Sequence, residues 1–186
     1  YNKTSQSGLV SHYKYIADRV TKPIIVYNVP SRTGVGIAPE TYAAIAENEN
    51  IVAVKEANGD LSAIARSIYL CRDKLDFISG NDDQVVPIMS LGGKGVISVL
   101  SNIMPEETHN MCYEYLHGDK QKATEMQIKF TGLINALFSD VNPIPVKEAM
   151  NMLGMEAGPC RLPLVEMSEA KRAILKEKLI ENGFKL

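Results

Sequence analysis

The sequence has no apolar run approaching the roughly 18 residues that a membrane-spanning helix needs. Its first residues, YNKTSQSG, lack the basic and then apolar order of a signal peptide. An excess of one charge is missing too: the net charge is −2, with 23% charged and 45% hydrophobic residues. That balance excludes the basic excess of a nucleic-acid binder and the polarity of a disordered chain. Cysteine is scarce. Cys71, Cys112 and Cys160 are odd in number and form no CxxC, which argues against a disulfide framework or a zinc site and for reduced thiols. His12, His109 and His117 lie far apart and make no paired-ligand motif, so they read as surface or helix residues. These absences leave a soluble globular chain, expected in the cytoplasm, long enough at 186 residues to bury a core.

What is present is an alternation. Ile24 to Asn28 (IIVYN) reads as a strand, and Pro39 to Glu47 as a helix with proline in its first turn. A second strand, Ile51 to Glu56, precedes a helix from about Leu61 to Arg72 with Asp60 as N-cap. Leu75 to Ser79 is expected as a third strand, with a helix around Asp83 to Leu91. Gly95 to Leu100 (GVISVL) is expected as a fourth, with a helix from Pro105 to about His117. Four strand–helix units predict a parallel α/β sheet, and the absence of GxGxxG after the first strand favours a (β/α)₈ barrel over a dinucleotide-binding fold. A barrel has eight strands, and the helix expected from Leu9 to Val20 has no strand in front of it. The sequence therefore predicts the second half of a TIM barrel over residues 1–118, strands five to eight. An all-helical C-terminal domain is expected over 119–186, with helices from Lys120 to Phe138, up to about Leu153, and from Ser168 to Asn182.

The segment IVAVK ends in Lys55. Strands of a parallel sheet are expected to be buried on both faces, so this lysine stands where the backbone leaves the core for the rim that carries chemistry in barrels. Stripped of water there, an amine can attack a carbonyl and form a Schiff base; the alternative is a lysine that reaches solvent or pairs with Glu56. The same rim collects Tyr27, Arg32, Ser79, Gly80 and Ile97 to Asn102. An amine nucleophile, a phenol able to move protons and a guanidinium able to clamp a carboxylate suit imine chemistry on a keto acid. Gly92-Gly93-Lys94-Gly95 precedes the fourth strand, on the face opposite the rim, and reads as a turn. In Gly80-Asn81-Asp82-Asp83 an aspartate is expected to cap the next helix.

The segments YNVPSRTG (27–34), VKEANGDL (54–61), ISGNDD (78–83), GGKGVISV (92–99) and NPIPVK (142–147) together resemble the dihydrodipicolinate synthase family. The resemblance implies a lyase of class I aldolase type, condensing pyruvate with L-aspartate 4-semialdehyde to 4-hydroxy-tetrahydrodipicolinate in lysine and diaminopimelate biosynthesis. It implies Lys55 as the Schiff-base lysine, with no cofactor beyond that covalent imine. Tyr27 would be the proton donor and acceptor, and Arg32 would hold the carboxylate of the semialdehyde. The backbone of Ile97 and Gly80 would line the pyruvate site. Tyr1, with Asn2, matches the end of a YYN segment whose second tyrosine crosses a tight dimer interface into the neighbour's proton relay. A homotetramer of two tight dimers is also implied. The family's Gly- and Thr-rich loop, which supplies two threonines to the site, is absent from this sequence, so activity is expected to require the missing half of the barrel. Two further readings stand beside this one: another pyruvate-dependent aldolase of the N-acetylneuraminate lyase superfamily, and an inactive half-barrel or assembly partner.

Overall fold

The computed structural model describes residues 2–186, and Tyr1 lies outside the described residues. The chain divides into two compact units, 1–97 and 98–186. In the first, helix α1 (Gln6–Ala17) starts at Ser5, whose Oγ accepts from Gly8 N at 3.2 Å. Strand β1 (Ile24–Asn28), a short helix α2 (Pro30–Thr33) and α3 (Pro39–Ile45) follow. Then come β2 (Ile51–Glu56), α4 (Leu61–Cys71), β3 (Asp76–Ser79) and α5 (Val85–Ser90). Asp60 caps α4 as expected, its Oδ1 accepting from Ser62 N at 2.9 Å and Ala63 N at 3.0 Å. Such a cap satisfies two otherwise orphaned amides and is worth about 1 kcal/mol.

The three strands form a parallel sheet in the order β1-β2-β3. Because successive side chains point to opposite faces, Val26, Val54 and Phe77 go to the helix side. There they pack with Tyr42, Ile45, Cys71 and Leu75 into the core of the unit. The opposite face is only partly buried among the described residues, against expectation. Ile25 is 48% exposed, and Tyr27 and Ile97 are each 42% exposed.

The expected fourth strand is a correction. GVISVL contributes one parallel bridge, Ser79 to Val96, held by Ser79 N to Gly95 O (2.8 Å) and Ile97 N to Ser79 O (2.9 Å). The chain then leaves the sheet: Ser98 Oγ accepts from Ser101 N at 2.9 Å and opens a 3₁₀ turn, Leu100–Asn102. Leu100, with Val99 packed against it, belongs to the core of the second unit. The run is apolar because it serves a helical core, not because it extends a sheet. Gly92 to Gly95 is a turn as expected, with Gly92 at φ 104° and Gly95 at φ 147°. Asp82 and Asp83 fall in a 3₁₀ turn, and the residue at the cap position of α5 is Gln84.

The second unit contains α6 (Pro105–His117), α7 (Lys120–Leu137), α8 (Ile144–Met152) and α9 (Glu169–Glu181). In α7, Ala123, Gln127, Phe130, Ile134 and Leu137 recur at helical spacing and are buried. They face a core that also includes Ala149, Leu175 and Leu179. Asp119 caps α7 and Ser168 caps α9. The expected domain break at 118/119 falls between α6 and α7, which pack against each other, whereas the compact units meet at 97/98. No helix among the described residues is long and apolar enough to cross a membrane.

Candidate active site

Lys55 and Tyr27 are register partners in the parallel β1/β2 ladder, so both side chains leave the same face of the sheet at its C-terminal edge. The Lys55 Nζ sits over the Tyr27 ring, 4.2 Å from its centroid. A cation on an aromatic face at this distance is attracted by the ring quadrupole, at about 0.5–1 kcal/mol for a partly exposed site. The amine lies against the ring face.

Gly80 closes the site from β3. Its N–H donates to Glu56 O at 2.7 Å. A Cβ added there would meet Ala57 Cβ at 2.9 Å, Glu56 O at 3.1 Å and Lys55 Cε at 3.2 Å. Only glycine lets this turn approach the stem of Lys55. Ile97 reaches the same edge from the bridge, and its N–H is committed to Ser79 O.

Arg32 belongs to α2, a helical turn that the sequence did not announce. It follows β1 directly and ends at Gly34, whose φ of 68° is the left-handed conformation that glycine adopts without penalty. Arg32 and Tyr27 line one cavity of about 440 Å³, together with Tyr13, Asn28, Thr33 and Ile37. Burial holds the Tyr13 phenol above its ordinary range. The structure thus joins Tyr27 to Lys55 by contact and to Arg32 through a shared cavity, and sets Gly80 against the Lys55 stem.

Glu56 does not pair with Lys55. As the next residue in the strand it faces the other way and is fully buried. Its Oε1 accepts from Asn28 Nδ2 at 3.0 Å and from Asn58 N at 2.9 Å. Its Oε2 accepts from Tyr42 Oη–H at 2.7 Å and from Asn28 Nδ2 at 3.2 Å. Burial raises the Glu56 carboxyl above the ordinary carboxylate range, against the lowering effect of its hydrogen bonds with Tyr42 and Asn28. Burial, and the Glu56 charge beside it, likewise raise the Tyr42 phenol. Asn28 and Tyr42 were not singled out from the sequence, and Glu56 was considered only as a partner for Lys55. Strand alternation could have signalled Asn28 and Glu56, since the residues that follow a rim pair form a second pair on the opposite face.

The model described as the dihydrodipicolinate synthetase family matches residues 1–182. The 4-hydroxy-tetrahydrodipicolinate synthase of Caldicellulosiruptor saccharolyticus is 54% identical over 186 residues, covering 100% of this chain and 63% of its own. Among solved structures, dihydrodipicolinate synthase from Thermotoga maritima superimposes with a TM-score of 0.95 at 45% identity, over 98% of this chain and 63% of that one. The chloride-inhibited enzyme of Acinetobacter baumannii complexed with pyruvate gives a TM-score of 0.94 at 40% identity, over 98% and 63%. This chain therefore spans about 63% of the length of the relatives it matches.

Proposed function

Because this chain belongs to the dihydrodipicolinate synthetase family, its strands and the helices after them being part of a TIM barrel with a helical extension, we propose that it carries the Schiff-base half of a lyase. That lyase condenses pyruvate with L-aspartate 4-semialdehyde to 4-hydroxy-tetrahydrodipicolinate in lysine and diaminopimelate biosynthesis. The complete barrel, this chain together with the part of the fold that its relatives carry and it does not span, is the active unit in this reading. The half-buried, partly apolar sheet face at Ile25, Tyr27 and Ile97 supports it, since such a face and the open strand edges beside it call for a covering partner. A cytoplasmic homotetramer, with Tyr1 reaching a neighbouring subunit, belongs to the same proposal.

One observation carries the reading: the Lys55 amine rests on the Tyr27 ring at the C-terminal edge of parallel strands, where barrels do their chemistry. The amine nitrogen adds to the ketone carbon of pyruvate, and the carbonyl oxygen takes a proton to give a carbinolamine. Loss of water then leaves the imine, with Tyr27 moving the protons. Loss of a methyl proton gives an enamine, whose carbon attacks the aldehyde of the second substrate; the aldehyde oxygen takes a proton to become the 4-hydroxyl, and that substrate's own amine then displaces the Lys55 amine from the imine carbon, closing the ring and freeing the lysine. Arg32, on the cavity that Tyr27 shares, clamps that substrate's carboxylate as a fork of donors. Gly80 leaves room beside the lysine stem, and the Ile97 carbonyl borders the pyruvate. No resident cofactor is needed, because the protonated imine is itself the electron sink.

The test compares two variants of the complete barrel. Lys55→Ala should abolish both imine formation and condensation. Arg32→Ala should keep pyruvate imine formation while losing turnover of the semialdehyde; retained turnover would count against this substrate and favour an aldolase acting on a sugar aldehyde.

A further inference from the structure

Each member of the Tyr27–Lys55 pair is followed in its strand by a member of a second pair. Asn28 and Glu56 are also register partners, on the opposite face of the same two strand ends. Glu56 receives three donors, from Asn28, Tyr42 and Asn58. These belong respectively to β1, to α3 and to the turn that leaves β2. The Asn28 amide cannot turn over without loss, because its Oδ1 accepts from Ile37 N at 3.2 Å, which leaves the NH₂ to face the carboxylate. Every polar atom of the Glu56 head is thus engaged by a group from a different segment, and both strand ends are held through one buried side chain.

The geometry points to Glu56 as a positioning residue: through Asn28, its buried carboxylate fixes the ends of β1 and β2 in register and so keeps the Tyr27 ring against the Lys55 amine. The inference deepens the proposed function and rests on it for its catalytic consequence. The alternative, a polar group that merely stabilises the core, predicts lost stability with unchanged chemistry per folded molecule. A positioning role predicts the reverse emphasis, because displacement of a reacting group by about 1 Å can cost on the order of a hundredfold in rate.

The experiment inverts the polarity of the pair in the complete barrel. Asn28→Asp sets a carboxylate against the Glu56 carboxylate. It should slow pyruvate imine formation, read as the borohydride-trapped adduct per folded protein, by about tenfold or more. The double variant Asn28→Asp with Glu56→Gln restores one donor and one acceptor in reversed order. It should recover the rate to within about threefold of the starting protein, a coupling between neighbours that independent sites do not show. Asn28 also lines the cavity assigned to the second substrate, so condensation is not the readout. Should Asn28→Asp fail to fold, Tyr42→Phe carries the test. It keeps the ring that packs edge-on against Phe77 at 5.9 Å and removes one donor to Glu56, and should slow trapping severalfold. A second readout needs no pyruvate: the upfield ring-current shift of the Lys55 ε-protons should shrink in Asn28→Asp and return in the double variant. A protein that pyruvate and borohydride do not label at all refutes the proposed function, and the ring-current series then decides this inference. Unchanged trapping and ring-current shifts in folded Asn28→Asp or Tyr42→Phe, or a double variant no better than Asn28→Asp, overturn it.

Discussion

Replacing Gly80 by alanine tests how tightly the site is closed around Lys55. The new methyl would stand 2.9 Å from Ala57 Cβ and 3.1 Å from Glu56 O, both carried directly on backbone, and 3.2 Å from the flexible Lys55 Cε. Non-bonded carbons rest about 3.5–4.0 Å apart, so the first contact is short by more than half an ångström and cannot be relieved by rotating a side chain. The Gly80 N–H to Glu56 O bond at 2.7 Å restrains the backbone from backing away. Overpacking of this kind costs about 1–3 kcal/mol, and 2 kcal/mol corresponds to a Tm lower by about 3 °C in a barrel of the relatives' size. The yielding partner is the Lys55 stem, so trapping of the pyruvate imine should slow as well. Gly59→Ala is the comparison: Gly59 has a φ of 79° and no heavy atom within 4 Å of an added Cβ. It should lose about 1 kcal/mol through backbone strain alone and trap at the original rate. Thermal unfolding and single-turnover trapping read both variants. A Gly80→Ala protein with the original Tm and trapping rate would refute the packing argument.

Three further outcomes follow from the geometry. Tyr27→Phe keeps the ring beneath the Lys55 amine and removes the hydroxyl, so pyruvate should still be bound while imine formation slows by about a hundredfold or more in single-turnover trapping. Burial raises the Cys71 thiol to about 11 from an ordinary 9.0. Near pH 8 it should carry about a hundredfold less thiolate than an unperturbed cysteine and resist iodoacetamide in the native protein, as peptide mapping against the denatured protein would show. The folded Glu56 carboxyl is raised by burial above its unfolded value near 4.5. The stability linked to its protonation is therefore present below that value and lost as pH rises through the folded one. Glu56→Gln should flatten that decline in urea unfolding midpoints, and an unchanged slope would count against a raised carboxyl.

Much of this architecture is legible where local chemistry decides it. Asp60 announces the helix it caps, and the apolar positions of α7 recur at helical spacing. GVISVL misleads because an apolar β-branched run fits a buried strand and a helical core equally well. What separates them is Ser98, whose hydroxyl captures Ser101 N and turns the chain away. The turn α2 lies below the length at which periodicity speaks. At the site, Lys55, Tyr27, Arg32, Gly80 and Ile97 could be placed on one edge from strand order alone. The clamp beneath them was hidden because its members, Asn28, Tyr42 and Glu56, come together only once β1, β2 and α3 have packed.

Lys55 as the nucleophile towards pyruvate is open to a covalent test. The complete barrel is incubated with pyruvate, reduced with borohydride, digested and mapped by mass spectrometry. One reduced pyruvate adduct per barrel is expected, on Lys55, absent when either reagent is omitted. An assembled barrel that gains no adduct, or gains it on another lysine such as Lys147, would contradict it.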